Sequence, residues 1–116
     1  MTRIGPTVTV RGEVSSSDDI SVEGRIEGPL WCEGQAVTVA PDAIVQGDIV
    51  GRDITVEGRV TGTLLATEIV DIRTTAAVDG RIVATRLILH DGGTFHGEVQ
   101  PHQVEAALTV ARHRRR

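Results

Sequence analysis

Aromatic residues are almost missing from this chain: among its 116 residues there is one tryptophan, one phenylalanine and no tyrosine. A core built on aromatic anchors is therefore excluded, and the interior must be filled by Val, Ile and Leu. That filling suits a narrow body in which similar aliphatic side chains stack on one another. A single cysteine, Cys32, excludes an internal disulfide and fits a reducing compartment. Lysine is absent and all twelve basic residues are arginine, a bias of the kind a GC-rich genome produces and one without a functional reading. No long apolar run and no signal-peptide pattern occur, so the expectation is a soluble cytoplasmic chain. Nucleophile-elbow, phosphate-loop and triad patterns are missing too, and neither His-x-x-x-His nor Cys-x-x-Cys spacing occurs. No cofactor, metal or catalytic residue is expected.

What the chain does have is repetition. A short phrase centred on glycine occurs six times: Val10-Arg11-Gly12-Glu13-Val14, Ile26-Glu27-Gly28-Pro29-Leu30, Val45-Gln46-Gly47-Asp48-Ile49, Val60-Thr61-Gly62-Thr63-Leu64, Val78-Asp79-Gly80-Arg81-Ile82 and Phe95-His96-Gly97-Glu98-Val99. The glycines are 16, 19, 15, 18 and 17 residues apart. A second phrase, apolar-x-apolar, keeps its own register at Ile20/Val22, Val37/Val39, Ile54/Val56, Val70/Ile72 and Leu87/Leu89. A fixed period of this length marks one structural unit stacked on itself.

The unit is made of strands. Ile54, Val56, Gly58, Val60, Gly62, Leu64 and Ala66 share one parity, and Thr55, Glu57, Arg59, Thr61, Thr63 and Leu65 the other. Successive strand residues point to opposite faces, so one side of the ribbon is apolar throughout. A meander would interrupt this parity with Asn-Gly or Asp-Gly hairpin turns, and only Asp79-Gly80 and Asp91-Gly92 are of that type. The chain is therefore expected to coil as an all-β solenoid, with inward glycines at corners where a side chain would collide with the core. Seventeen residues at about 3.3 Å each give a perimeter of about 55 Å, which three short sides and their corners fill. About five coils, spaced ~4.8 Å, would stand ~25 Å tall and pair through parallel ladders.

Organisation follows from this pattern: a leader over 1–9, the solenoid over 10–99 and a tail over 100–116. Pro101 cannot donate to a ladder and is expected to end the last strand. Val104, Ala107, Leu108 and Ala111 have helical spacing, which predicts a short helix over 102–113. Net charge is −4, and the four arginines Arg112, Arg114, Arg115 and Arg116 leave −8 on the rest of the chain. An acidic body with a basic tail is polarised.

The opening Ile4-Gly5-Pro6, the run from Gly12-Glu13-Val14 through Asp18-Asp19-Ile20-Ser21-Val22-Glu23-Gly24-Arg25-Ile26-Glu27-Gly28, the Gly47-Asp48-Ile49 and the closing Gly93-Thr94-Phe95-His96-Gly97-Glu98-Val99 resemble a bactofilin domain over residues 4–99. The resemblance implies a right-handed, three-sided parallel β-helix that joins end to end into non-polar filaments. It also implies polymerisation without nucleotide or metal, and a bacterial cytoskeletal scaffold that localises cell-shape and envelope enzymes. Many family members bind membrane through an N-terminal tail. Met1-Thr2-Arg3-Ile4 is short and lacks an aromatic anchor, so direct membrane binding through it is not expected. The basic tail is not part of the domain signature.

The richest chemistry lies at the solenoid ends, where backbone donors and acceptors have no neighbour on one side and recruit further strands unless blocked. The first coil offers Val8, Val10 and Val14, and the last Leu87, Leu89, Phe95 and Val99, as a candidate polymerisation interface. Phe95 takes the place held by Val10, Ile26, Val45, Val60 and Val78 in earlier coils. Its ring either seals the core or contacts a second subunit, and the tail is an alternative cap for that edge. Cys32 falls in a column of small residues with Ser16, Gly51, Ala66 and Ala84, and is expected to be buried. Trp31 has outward parity. His90, His96, His102 and His113 cluster late without ligand spacing, and Asp18/Asp19 fall in a polar turn. The arginines Arg112, Arg114, Arg115 and Arg116 are the weaker candidates for contact with a partner or anionic membrane. The expected partner is the chain itself, with envelope enzymes and other scaffold proteins as further candidates. Peripheral association with the inner face of the membrane stays open, and nucleic acid is not expected.

Two other functions compete. A hexapeptide-repeat acyltransferase needs a strict six-residue period, which steps of 15 to 19 do not provide. A monomeric solenoid binding module, such as an ice-binding face, needs a regular Thr-x-Thr column, and only scattered pairs such as Thr7/Thr9 occur.

Overall fold

The computed structural model describes residues 2–101. Twelve strands follow one another: β1 (Thr2–Ile4), β2 (Thr9–Arg11), β3 (Val14–Ser15), β4 (Ile20–Val22), β5 (Arg25–Glu27), β6 (Leu30–Val39), β7 (Ile44–Gln46), β8 (Ile49–Val56), β9 (Arg59–Ile72), β10 (Ala77–Ala84), β11 (Arg86–Leu89) and β12 (Thr94–Pro101). Every pairing between them is parallel. The longer strands turn corners, so one strand serves two sides and β9 serves all three.

Three ladders result. On the first side, Ile4, Val22, Val39, Val56, Ile72 and Leu89 stack in register. On the second, Val10, Ile26, Val45, Val60, Val78 and Phe95 do so. On the third, Val14, Leu30, Ile49, Leu64, Ile82 and Val99 complete the interior. The expected three-sided solenoid is present, with about six coils where about five were expected. The extra coil arises because the ladder starts at Thr2, inside the expected leader, where Thr2–Ile4 pair with Ile20–Val22. At the other end β12 runs to Pro101, two residues past the expected boundary. The helix expected over 102–113 lies outside the described residues.

The unequal steps have a structural cause. Between the first and second sides the corner comes in two lengths. Four-residue turns close at Gly5–Val8, Ala40–Ala43, Arg73–Ala76 and His90–Gly93, each by a backbone bond from the fourth N–H to the first carbonyl at 2.9 to 3.1 Å. Two-residue corners replace them at Glu23-Gly24 and Glu57-Gly58. The long glycine steps contain the wide corner and the short steps the tight one.

The repeated glycines also differ from expectation in what they avoid. Gly12, Gly28, Gly47, Gly62, Gly80 and Gly97 stand at the corner between the second and third sides with φ between +119° and +149°. A Cβ on any of the last five would overlap the carbonyl oxygen of the glycine one coil below. The obstacle is neighbouring backbone, not the aliphatic core. Gly51 does face core, since a Cβ there would meet the Val37 side chain at 3.1 Å.

Among the described residues no polar or charged side chain is buried, so the core is purely apolar. Each fully buried Val, Ile or Leu is worth about 1.5–3 kcal/mol against exposure. Ile54 is 0% exposed, while its neighbour Thr55 faces outward. Ile54→Asp is therefore expected to unfold the domain and Thr55→Asp to cost little, as read by urea denaturation. Equal losses at the two positions would contradict the parity of the whole ladder.

Candidate assembly surfaces

Inside the body each rung is paired on both edges, but the terminal rungs are paired on one. β1, β2 and β3 pair only with β4, β5 and β6, and β11 and β12 only with β9 and β10. Their outer N–H and C=O groups form two open edges.

An apolar triplet sits within each edge. The hydrophobic residues that are only partly buried against the core are Ile4, Val10, Val14, Ala40, Leu89, Phe95 and Val99. All but Ala40 belong to the first or last coil, one from each side of the triangle at each end. Val10, Val14, Leu89, Phe95 and Val99, all named among the sequence candidates, are in this set. Ile4 was not among the expected residues, although it heads the column of Val22, Val39, Val56 and Ile72. Leu87 is better covered, at 5% exposure, and Val8 lies on a corner at 43%. Arg112, Arg114, Arg115 and Arg116 are outside the described residues.

Polar side-chain pairs tie the terminal coils to their neighbours. Arg3 donates to both carboxylate oxygens of Glu23, from Nε to Oε2 and from Nη2 to Oε1, the latter at 2.8 Å. That hydrogen bonding, from an exposed guanidinium, holds the Glu23 carboxyl below its usual range. The contribution is present above the ordinary glutamate range and is lost as pH falls through the lowered pKa. Arg11 reaches Glu27 at 3.2 Å, Arg81 reaches Glu98 at 3.4 Å, and His90 Nε2 lies 2.8 Å from Asp71 Oδ1. Pairs this exposed contribute little individually.

The remaining sequence candidates take structural positions. Cys32 is fully buried, in register with Gly51 and through it Ala66, and burial pushes its thiol pKa up. Trp31 faces outward at 40% exposure. Asp19 accepts a bond from the Ala36 N–H at 2.9 Å. His96 is exposed on the second side, away from His90 at the end of the first. His102 and His113 are outside the described residues. Among the described residues no group of three His, Cys, Asp or Glu is placed to hold a metal ion, and no helix is long and apolar enough to cross a membrane.

A family profile described as "Bactofilin: Polymer-forming cytoskeletal" matches residues 2–100. The chain belongs to the bactofilin family. Bactofilin BacO of Myxococcus xanthus is 32% identical over 98 residues, which span 84% of this chain and 77% of that protein. Bactofilin BacP of the same organism is 33% identical over 104 residues, covering 90% of this chain but 43% of BacP. Among solved structures, a cryo-EM reconstruction of Thermus thermophilus bactofilin double helical filaments matches with a TM-score of 0.77. That match is at 22% identity and covers 87% of this chain and 99% of the other. It supports the fold, as the profile supports the family. The bactofilin family is one of structural, polymer-forming cytoskeletal proteins.

Proposed function

We propose that this bactofilin is a structural scaffold whose solenoids join end to end through their terminal coils. The carrying observation is the pair of open ladder edges, each enclosing an apolar triplet: Ile4, Val10 and Val14 at one end, Leu89, Phe95 and Val99 at the other. Stacking two ends continues the ladder and buries both triplets together, so hydrogen bonding and burial act at one surface. Val8 and Leu87 belong to the same ends as peripheral contacts. The Thermus relative is named for filaments, and its fold is the one described above. In the cell, such a polymer would act as a cytoplasmic platform that positions partner proteins in cell-shape or envelope processes. The arginines Arg112, Arg114, Arg115 and Arg116 are proposed as a contact with partners or with an anionic membrane surface.

Nothing in this assembly needs nucleotide hydrolysis or a bridging ion. Purified chain in buffer with chelator and without ATP or GTP is expected to scatter light and to show filaments by negative-stain microscopy. Scattering that rises only after nucleotide or metal is added would overturn the proposal.

A further inference from the structure

One face of the solenoid carries apolar side chains that its own core does not use. On the outer surface of the third side, Ser15, Trp31, Val50, Leu65, Val83 and Gln100 stack in register from first coil to last. Four consecutive members are apolar, and Trp31 and Leu65 are 40% and 39% exposed. Their inward neighbours Leu30, Ile49, Leu64 and Ile82 already fill the interior of the same strands. The corresponding column on the second side, Arg11, Glu27, Gln46, Thr61, Asp79 and His96, is polar throughout. An apolar line with a polar rim marks an interaction site. Its last member, Gln100, precedes Pro101, where the described residues stop, so the segment 102–116 leaves the body at the end of the stripe.

We infer that the stripe is the docking site of the chain's own segment 102–116, laid back along the stacking direction from the last coil toward the first. Length supports this occupant. From Gln100 to Trp31 the stripe descends through four coil spacings, about 19 Å at ~4.8 Å each. A helix over 102–113, which the spacing of Val104, Ala107, Leu108 and Ala111 predicts, spans about 18 Å. Pitch supports it as well. One helical turn advances ~5.4 Å, close to one coil spacing. With Val104 over Val83, Leu108 then falls beside Leu65 and Ala111 beside Val50. The arginines that follow reach the level of Trp31, where a guanidinium can lie over the indole. The docked segment leaves both open edges uncovered, so this inference stands apart from the end-to-end reading.

Charge agrees with this direction. Glu13, Glu33 and Asp48 are exposed on the flanks of the stripe in the first three coils, and none of them forms an ion pair among the described residues. Arg52, on the flank of the third coil, is taken up by Asp53 at 3.1 Å and Glu68 at 3.6 Å. Arg81 is exposed on the flank of the fifth coil, beside Val83. The segment carries the complementary order, with Glu105 first and Arg112, Arg114, Arg115 and Arg116 after it. Docked from the last coil downward, Glu105 comes beside Arg81 and the arginines come to Glu33 and Asp48. A guanidinium held there is not free to meet a partner or an anionic membrane. Docking and those contacts therefore exclude each other, and release of the segment uncovers the stripe and the arginines together.

Trp31 is the one tryptophan of the chain, so its fluorescence reports on the stripe. In the full-length chain its emission is expected to be blue-shifted and shielded from acrylamide. Leu108→Glu puts a carboxylate on the apolar face of the segment and lies outside the solenoid strands. It is expected to red-shift Trp31 and to raise acrylamide quenching about two-fold, as a covered ring becomes partly wet. Trypsin should also cut after Arg112 several-fold faster in this variant, because cleavage follows the population of the undocked state. Glu33→Arg is expected to move both readings the same way. Mixing the Leu108→Glu chain with excess Trp31→Phe chain, whose segment is intact, is expected to leave Trp31 exposed. Recovered shielding in that mixture would assign the segment to a neighbouring copy and overturn docking within one chain. Identical Trp31 quenching in the wild type and in Leu108→Glu would overturn the docking site itself, whether the segment then caps the last coil or stays in solvent.

Discussion

Phe95→Arg should convert the filament into a small, folded, soluble species. Phe95 ends the column of Val10, Ile26, Val45, Val60 and Val78 and is the one ring in it. It is half-buried against the core, with Leu89 and Val99 beside it on the other two sides. Nothing further in the folded monomer needs the outer part of that ring, so an arginine there can turn its head to water. A stacked end has no such freedom. A contact made symmetrically would bring two guanidinium groups together in a space from which water is excluded. Covering the half of the ring that the monomer leaves exposed would contribute about 1–2 kcal/mol at the joint before association costs are met. Replacing that gain with two like charges should abolish sedimentable polymer. The size of the product reports on polarity. If joints pair like ends, the untouched first coil still joins its equal and the mutant elutes as a dimer. If joints pair first coil with last, it elutes as a monomer. Wild-type-length filaments from a mutant with native circular dichroism would sink the assignment of Phe95 to the joint.

Much of this architecture was legible in the residues, because a solenoid repeats its instructions. Alternation along Ile54–Ala66 assigned inside and outside correctly, as did the column of small residues for the buried Cys32 and parity for the outward Trp31. The coil count fell short because Thr2-Arg3-Ile4 carries one aliphatic residue and is too short for alternation to register, although Ile4 does head a column. One outward column of the third side was hidden for a different reason. Trp31, Val50, Leu65 and Val83 are separated by unequal steps, since wide and tight corners intervene between them. Their alignment emerges only when the ladder register is known. The meaning of the glycines was half legible. That they sit at corners follows from spacing; that they avoid the carbonyl below requires coil-on-coil geometry.

That last point carries the second large effect. Gly62→Ala should destabilise the fold far more than Gly12→Ala, although both glycines have the same kind of backbone. Gly62 has φ of +139° and Gly12 of +119°, a region that side-chain-bearing residues rarely adopt. Strain of this sort costs about 1–3 kcal/mol and should be paid by both variants. The surroundings then separate them. Gly12 opens the column in the first coil, and nothing lies within 4 Å of where its Cβ would go. At Gly62 the added Cβ would overlap the carbonyl oxygen of Gly47 and lie 2.7 Å from the carbonyl carbon. That carbonyl is backbone in the ladder on which β9 and β10 are laid, so it cannot swing aside as a flexible side chain would. Relief requires coils three and four to separate locally, which breaks ladder bonds and opens voids among Val45, Val60 and Ile49. The loss should therefore exceed strain alone by several kcal/mol, at roughly 4–8 °C per kcal/mol for a domain of this size. The comparison belongs in the Phe95→Arg background, where assembly adds nothing to the measured stability. A midpoint for Gly62→Ala equal to that of Gly12→Ala would mean that the coils are not packed glycine over glycine. A large gap, with Gly12→Ala showing only the strain, would establish that coil spacing at this corner is set by the absence of a side chain.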